Sequence, residues 1–406
     1  MSPPSTVRFG QDLARLVPDR PFELRFWDGT AVPATRAPGT TLTIHSPRAL
    51  AYALHAPGQL GLGRAYVAGA IDVEDLDALV TVADTWHPPA LPLRARARLM
   101  LDAARAAGTL SAPRVPASEL KPSGSLHSRR RDARAVRHHY DVSNEFFALF
   151  LDHSMTYSCA FFSRSDDHGS LEAAQVAKLE LTCQKLALKP GQRVLDVGCG
   201  WGGFAIHAAS RHGVRVVGIT LSTPQAELAR QRVRAAGLED RITIRVQDYR
   251  ELDGEQFDAI CSIGMVEHVG GERIDLYAQQ LARLLHPGGR LLNHGIARLY
   301  EAPSGAFNRR YVFPDSDPLP LSRVLLALER AGLVTEHVEG FRRDYAETLR
   351  HWAGRLDDHL EEAVRMAGPE RVRIWRLYLR GARQSFESGY LSIYQVRCRK
   401  PLSGER

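Results

Sequence analysis

Apolar and polar residues follow three different patterns along the chain. Short alternations dominate residues 1–90, one amphipathic stretch lies within residues 91–133, and apolar runs separated by helical periodicity fill residues 134–406. Strands that alternate with helices in this last way are typical of a parallel sheet covered by helices. The sequence therefore predicts a small α+β N-terminal domain, a basic helix with a linker, and a larger α/β domain with a Rossmann-like sheet.

The N-terminal part contains the signals of a small sheet. Apolar residues alternate over 22–26 and end at Asp28-Gly29, a dipeptide typical of hairpin turns. A further strand is predicted over 41–44 and a helix over 48–55. No set of residues with catalytic chemistry occurs here, so a packing and lipid-binding role is the default interpretation.

The stretch from 91 to 107 has helical periodicity and ends at Gly108, a common helix stop. Pro, Ser and Gly then recur over 109–130, which is typical of a linker. The apolar residues of the predicted helix fall on one face: Leu93, Ala97, Met100, Leu101 and Ala104.

Seven strands are predicted in the α/β part of the chain. The first of them ends in a run of glycines at 198–203, and a helix is predicted to end at 287–289, before the fifth. Because ligands of such sheets bind at the carboxyl ends of the strands, the glycine run marks the candidate binding edge. The predicted strands cover 193–197, 214–219, 242–246, 257–263, 290–293, 334–338 and 391–397.

The net charge of +7 is concentrated in one segment. Residues 94–137 contain eleven Lys or Arg and three acidic residues, so this segment alone carries +8. It contains no aromatic residue, which argues against the stacking surface that single-stranded nucleic acid needs. An anionic lipid surface attracts such a segment by about 1 kcal/mol per basic residue, and a solvated linker is the alternative.

Cysteine usage and hydropathy favour a cytoplasmic protein. The five cysteines are widely spaced and form no Cys-x-x-Cys pair, which argues against a disulfide framework and against a zinc site. No apolar run reaches the roughly 18 residues of a membrane-spanning helix, and the first residues lack the charged and apolar regions of a signal peptide. We expect a cytoplasmic chain without a metal ion.

The glycine run lets the backbone approach a ligand closely and opens a helix whose first N–H groups are unpaired. It also matches the G-x-G-x-x-G pattern of dinucleotide-binding enzymes, which place a carboxylate at the end of the second strand. Here 220–222 reads Thr-Leu-Ser, and no carboxylate follows before Glu227. The missing carboxylate argues against a dinucleotide-dependent enzyme that transfers hydride.

An acid–amide pair, Gln247-Asp248, ends the predicted third strand. Such a pair can hydrogen-bond the amino group of an adenine ring. Together with the strand at 193–197 and its glycine run, it favours S-adenosylmethionine as the cofactor. The alternative is that Asp248 only caps a turn or a helix.

Five motifs carry a family resemblance. They are His139-Tyr140-Asp141-Val142-Ser143-Asn144, Met155-Thr156-Tyr157-Ser158-Cys159-Ala160, the glycine run, Ser262-Ile263-Gly264-Met265-Val266-Glu267-His268-Val269-Gly270, and Tyr311-Val312-Phe313-Pro314. In this order they resemble the cyclopropane-fatty-acyl-phospholipid synthase family, which includes the mycolic acid cyclopropane synthases. The similarity runs over 134–399, and the region before 130 resembles more loosely the extra N-terminal domain of the phospholipid-acting members.

The resemblance implies a class I S-adenosylmethionine-dependent methyltransferase that forms a cyclopropane ring at the cis double bond of an unsaturated phospholipid acyl chain. It implies a bound bicarbonate ion as general base, held by the side chains of Glu267, His294 and Tyr345 and by the backbone of Cys159 and Ile296. The cofactor positions it implies are Tyr157, Ser158, Gly198, Gly200, Gly202, Thr220, Leu221, Gln225, Gln247, Asp248 and Ile263.

Each candidate catalytic side chain also has a purely structural interpretation. Glu267 could be an exposed loop residue and His294 a hydrogen-bonded core histidine. Tyr345 could only pack, and Cys159 could be a small buried apolar residue. Several relatives carry a late cysteine where this chain has Ala382, so no thiol takes part at that position.

Three other functions stay open. The same chemistry could end in a methylene- or methyl-branched chain in place of a ring. A small-molecule methyltransferase without bicarbonate would use Glu267 as a substrate base, and an inactive lipid-binding or regulatory module would keep only the fold. The intact set of candidate residues argues against the last. As partner we expect a phospholipid bilayer, met at the inner face of the membrane; a homodimer is open.

Overall fold

The computed structural model describes residues 5–37, 39–108, 111–120, 131, 143–162, 169–299 and 305–405. The motif residues 139–142 and most of the predicted linker lie outside these ranges. The described residues form two units, one from 1–121, 305–312 and 368–384, the other from 122–304, 313–367 and 385–406. The first boundary, at 121, falls within the predicted helix and linker at 91–133, and two late segments, 305–312 and 368–384, group with the N-terminal residues.

The elements are numbered in chain order. The strands are β1 Phe22–Arg25, β2 Ala31–Val32, β3 Thr40–Ile44, β4 Ile71–Val73, β5 Arg193–Val197, β6 Arg215–Thr220, β7 Ile242–Val246, β8 Phe257–Ile263, β9 Leu285–Arg298, β10 Val334–Gly340 and β11 Leu391–Arg399. The helices are α1 Ser5–Leu16, α2 Arg48–His55, α3 Gln59–Val67, α4 Leu76–Thr85, α5 Leu93–Ala107, α6 Asn144–Ala148, α7 Leu171–Leu186, α8 Gly203–His212, α9 Thr223–Ala235, α10 Ile274–Leu284, α11 Ala306–Tyr311, α12 Leu321–Arg330, α13 Arg342–Asp358 and α14 Leu360–Glu387.

The N-terminal unit is built on a four-stranded sheet in the order β2-β1-β3-β4. The predicted hairpin is confirmed: β1 and β2 are antiparallel, and Gly29 takes a positive φ of 85° in the turn between them. Such a φ suits glycine, which has no Cβ to clash with the backbone. The predicted strand over 41–44 and the helix over 48–55 are also present as β3 and α2.

Helix α5 forms as predicted and ends at Gly108, which is left-handed with φ 66°. The face that it buries is the opposite of the expected one, because Ala103, Ala106 and Ala107 belong to the core of the unit. Small side chains let α5 lie close to α1 and α2, so the alanine face packs. The larger apolar residues of the predicted face stay exposed: Leu93 by 83%, Met100 by 43% and Leu101 by 50%.

The second unit contains a seven-stranded sheet in the order β10-β11-β9-β8-β5-β6-β7. Strands β5 to β9 are mutually parallel, and β11 runs antiparallel to both of its neighbours. Apolar clusters cover both faces of this sheet, as expected for a sheet with helices on each side. The predicted Rossmann-like α/β architecture is confirmed.

Strand β9 is longer than predicted. Helix α10 ends at Leu284, and Pro287, Gly288 and Gly289 lie inside the strand instead of ending the helix. Leu285 pairs with Phe257, and the register shifts before Ala259, so these residues form an irregularity at the start of β9. In the described parts of the chain, no helix carries an apolar stretch long enough to cross a bilayer.

Candidate active site

A cavity opens at the carboxyl ends of the parallel strands, as the topology requires. Its walls come from the ends of β5, β6, β7 and β8, from α7, and from the segment that precedes Cys159. Ten of the eleven predicted cofactor residues line it: Tyr157, Ser158, Gly198, Gly200, Thr220, Leu221, Gln225, Gln247, Asp248 and Ile263. The chain therefore brings residues from 157 to 263 to one edge of the sheet.

The glycine run forms the floor of the cavity. Gly198 and Gly200 have φ angles of 80° and 52°. A Cβ on Gly198 would come within 2.7 Å of the Met265 side chain, whereas a Cβ on Gly200 would meet no atom within 4 Å. The backbone at Gly200 thus faces open space, which leaves room for a ligand.

Gly202 does not line the cavity, so its predicted cofactor contact is not seen. It has φ 81° and precedes the first residue of α8. A Cβ at this position would lie 3.4 Å from the Cβ of Ala229 on α9. The physical reason for this glycine is the left-handed turn into α8 and the close approach of α9.

The polar end of the cavity is held by short hydrogen bonds. Thr220 Oγ1 donates to Gln225 Oε1 at 2.8 Å, and the backbone N–H of Gln247 donates to the Thr220 carbonyl at 3.1 Å. Asp248 does cap a turn, since its carboxylate accepts from the Arg250 N–H at 2.9 Å and from the Arg250 guanidinium. It lines the cavity as well, so the cap and the predicted ligand contact are compatible.

Two buried charged residues of the cavity wall were not predicted. Lys178 on α7 donates to Ser158 Oγ at 2.9 Å, and burial lowers the pKa of this lysine to about 8. Burial raises the pKa of Asp196 on β5 to about 7, with Lys178 acting in the opposite direction. Asp196 lies in the predicted strand 193–197, but only the fold shows that its charge interacts with that of Lys178, 18 residues earlier.

Aromatic rings form a wall beside the cavity. The ring of Tyr157 stacks on that of Trp352 at 5.0 Å, and Phe147 contacts both Tyr157 and Trp201. Trp352 in turn lies edge-on to Tyr345 at 6.1 Å. Ring faces of this kind can stabilise a cation.

The five predicted catalytic residues lie close to one another but do not line this cavity. Phe341 joins three of them: its carbonyl accepts from Cys159 Sγ at 3.7 Å and from the Tyr345 N–H at 3.0 Å. Its ring lies 5.8 Å from that of His294. Since the Phe341 N–H bonds the carbonyl of Ile393, which pairs with Ile296, these residues surround the middle of β9.

Glu267 reaches the same place from the turn after β8. A Cβ on Gly295, between His294 and Ile296, would lie 3.3 Å from Glu267 Oε2. The carboxylate is buried, with the residue 6% exposed, so the interpretation as an exposed loop residue is wrong. Burial raises the pKa of Glu267 to about 7, although the backbone N–H groups of Glu267 and Ile296 act to lower it.

Cys159 and Tyr345 behave differently from the other candidates. Cys159 is fully buried, and burial raises the pKa of its thiol well above the usual value, which argues against an active thiolate. Only its backbone is available for a binding role. Tyr345 packs on Phe386 at 4.7 Å, so packing accounts for its ring whatever its hydroxyl does.

Within the described residues, Glu267 Oε2 and His294 Nε2 are buried without a hydrogen-bond partner. They are two of fourteen such side-chain atoms in the described residues, and a bound water molecule or ion is one explanation of an unpaired buried polar atom. His294 is therefore not a satisfied core histidine. Burial, together with Lys178 and Lys185, lowers its pKa well below the usual value, so the imidazole is neutral.

A chain of hydrogen bonds sets the tautomer of this imidazole. Lys185 Nζ donates to Gln395 Oε1 at 2.6 Å and is held from the other side by Glu339 at 2.5 Å. Because the ammonium can only donate, the amide oxygen faces it, and the amide nitrogen faces His294 Nδ1 at 3.4 Å. Nδ1 then accepts, and Nε2 carries the proton as a donor.

We predict that Gln395→Met releases His294 from this tautomer. Methionine fills the volume but donates nothing to Nδ1, so the hydrogen bond that fixes the tautomer of His294 is lost. Nitrogen-15 NMR of His294 should show a mixture of tautomers, and turnover should fall. Gln184→Met, on the exposed side of α7, serves as control. An unchanged tautomer in the Gln395 variant would contradict the hydrogen-bond chain.

Comparison with known proteins places this site in a family. The family model named mycolic acid cyclopropane synthetase matches residues 127–396. The chain belongs to this family. A probable fatty acid methyltransferase of Pseudomonas putida is 37% identical over 94% of this chain and 93% of its own length. Cyclopropane-fatty-acyl-phospholipid synthase of Escherichia coli is 35% identical over 84% of this chain and 82% of its own length.

A solved structure of the same family gives the cofactor. Mycolic acid cyclopropane synthase CmaA1, in complex with S-adenosylhomocysteine and CTAB, matches with a TM-score of 0.63 and 34% identity over 66% of this chain and 98% of its own. The chain is thus an S-adenosylmethionine-dependent methyltransferase of the cyclopropane synthase type, which acts on lipid acyl chains. The open floor at Gly200 and the polar groups at Thr220 and Gln247 suit the nucleoside and amino-acid parts of that cofactor.

Proposed function

We propose that the chain converts the cis double bond of an unsaturated phospholipid acyl chain into a cyclopropane ring, with bicarbonate as the base. The observation that carries the proposal is the pair of unsatisfied buried atoms, Glu267 Oε2 and His294 Nε2. One is an acceptor and the other a donor, which suits the hydroxyl and an oxygen of one bicarbonate ion. Direct use of Glu267 as base would leave the His294 donor without a role.

The chemistry begins with a weak nucleophile. When bound, S-adenosylmethionine supplies a sulfonium methyl group, and the alkene forms a carbon–carbon bond to it as the sulfur–carbon bond breaks. A carbocation is left on the neighbouring chain carbon. Loss of one proton from the new methyl group allows the second carbon–carbon bond to close, so the lipid gains one CH₂. When bound, bicarbonate supplies the base for that proton.

The residues of the chain make these steps feasible in three ways. The neutral Nε2–H of His294 and the carboxylate of Glu267 orient a base at a site without free water. The exclusion of water strengthens both of their hydrogen bonds to the base. The stacked rings of Tyr157 and Trp352 offer π density to a nearby cation. Burial of this region keeps water from the cation, which would otherwise be quenched.

A branched product is the second candidate, because one relative is a probable fatty acid methyltransferase. Lipids of cells that express the chain should be analysed by mass spectrometry with trideuteromethyl-labelled cofactor. A ring keeps two deuterons and resists mild reduction. A methyl-branched alkene keeps three, and a methylene branch takes up hydrogen on reduction. No gain of CH₂ on any acyl chain would exclude both candidates.

We further propose that the chain binds an anionic phospholipid bilayer, as a peripheral protein at the cytoplasmic face of the membrane, through α5. Its exposed face combines Leu93, Met100 and Leu101 with Arg94 and Arg96, all exposed. Apolar residues flanked by arginines are typical of helices that lie in a membrane interface. The basic residues after α5 support membrane binding less than their charge suggested, because Arg131 already forms a two-bond ion pair with Asp315, at 2.7 and 2.8 Å.

Replacing Leu93, Met100 and Leu101 together by Ser should weaken binding to anionic vesicles by about 3 kcal/mol, taking roughly 1 kcal/mol per partly inserted side chain. Co-sedimentation with vesicles measures the change. Serine at three exposed apolar positions elsewhere, Val176, Leu276 and Leu402, provides the control. Equal vesicle binding by both triple variants and the wild type would remove α5 from the membrane contact.

A further inference from the structure

A second group of reactive side chains lies where α7 packs on α8, apart from the residues of the cavity. Cys183 Sγ and one ring nitrogen each of His207 and His212 lie within 4.8 Å of one another. Glu180 joins them, since its Oε2 is 3.1 Å from Nε2 of both histidines. A thiol, two imidazoles and a carboxylate thus converge from two helices.

These distances are close to those of a metal site. Tetrahedral zinc with bonds of about 2.0–2.3 Å separates its ligand atoms by roughly 3.3–3.8 Å. The two contacts of Glu180 with the histidines are near that value, and Cys183 Sγ and the two ring nitrogens, at up to 4.8 Å from one another, would have to approach by about 1 Å. Cys183 is fully buried, and the histidine side chains are 12% and 20% exposed, so the group lies just below the protein surface.

We propose that Glu180, Cys183, His207 and His212 form a binding site for a divalent transition metal, with Zn²⁺ as the best match. Mixed nitrogen, sulfur and oxygen ligands favour this ion over Mg²⁺ or Ca²⁺, which select oxygen. The expectation of no zinc site rested on the spacing of cysteines along the chain. That rule misses a site that takes one cysteine and finds its other ligands on a neighbouring helix.

The metal is structural in this arrangement. His212 is the last residue of α8, and the glycine run lies at the other end of this ten-residue helix, about 15 Å away. All four ligands are protein groups, which leaves no open position for a substrate. A bound ion would tie α8 to α7, which carries Lys178 in the cavity wall and Lys185 beside Gln395.

The test uses the untagged full-length chain, stripped with a chelator and then titrated with Zn²⁺ or Co²⁺. We expect one ion per chain, and with Co²⁺ the absorption bands of a tetrahedral site with a thiolate ligand. Zinc at about 100 times its Kd should raise the melting temperature by roughly 5–10 °C. Cys183→Ser should remove the thiolate band. His212→Gln should weaken binding by more than the ~10–100-fold typical of an outer-shell change.

Two matched variants separate the site from nonspecific effects. Cys398→Ser removes another buried cysteine, and His286→Gln removes an exposed histidine, so both should bind one ion as the wild type does. Circular dichroism confirms that each variant is folded, and the His212 variant, at a helix end, is the less disruptive of the two. The proposal fails if the wild type binds no ion, or if both ligand variants bind the ion as tightly as the wild type does. The histidines would in that case serve only as hydrogen-bond partners of Glu180.

Discussion

Glu267→Gln should reduce turnover by about 10²–10³ while the affinity for S-adenosylmethionine stays unchanged. The amide keeps the shape of the side chain but loses the charge that accepts a proton from the base. Cofactor affinity should persist because Glu267 does not line the cavity. Calorimetry with the cofactor and a turnover assay on vesicles measure the two quantities. Near wild-type turnover would remove Glu267 from the reaction.

The pH dependence gives an independent check on the same residue. Burial raises the pKa of Glu267 from 4.5 to about 7, so the carboxylate needed for the reaction forms only as the pH rises through 7. At constant bicarbonate ion concentration, wild-type turnover should therefore rise through pH 7, and the rise should be absent from the Gln variant. A wild-type profile that is flat from pH 6 to 8 would argue that a different group accepts the proton.

Stability should change in the opposite direction to activity. The unfolded chain ionises this carboxyl near 4.5 and the folded chain near 7, so protonation favours folding and ionisation opposes it. This stability is lost as the pH rises from 4.5 to 7, and the full loss is roughly 3 kcal/mol, at 1.36 kcal/mol per pKa unit. The Gln variant cannot ionise and should be the more stable protein above pH 7. The difference should shrink as the pH falls towards 4.5.

The sheet could be predicted from the sequence because each parallel strand is a short apolar run with its own boundary. The antiparallel insertion of β11 between β9 and β10 could not, since nothing in 391–397 specifies its neighbours. Helix α5 shows a related difficulty. The periodicity of the sequence predicts its face of large apolar residues. The fold buries the face of small alanines instead, because alanines permit closer helix packing.

The residues of the site also fall into a group that the local sequence predicts and a group that it does not. Residues at the ends of strands were predicted, because parallel strands bring their carboxyl ends to one edge and the motifs stand there. Lys178, Lys185 and Gln395 come from the interior of a helix and from the last strand. Their roles depend on contacts between residues as far apart as 185 and 395, for which no local pattern exists.

Gly200→Val should abolish cofactor binding, with a loss of affinity of about 100-fold or more. The branched side chain would project into the open space above the glycine run, where a Cβ meets no protein atom within 4 Å. That space is the part of the cavity that the cofactor needs. The backbone is also unfavourable for valine, because φ at this position is 52°.

A matched variant separates these two effects. Gly254 has φ 68° and an equally open Cβ position, but it does not line the cavity. Gly254→Val therefore introduces the same kind of backbone strain without obstructing a ligand, and it should lose stability while it keeps cofactor affinity. Calorimetric titration of both variants with S-adenosylmethionine decides the matter. Undiminished affinity in a folded Gly200 variant would show that the cofactor does not lie over the glycine run, and the placement of the whole site would have to change with it.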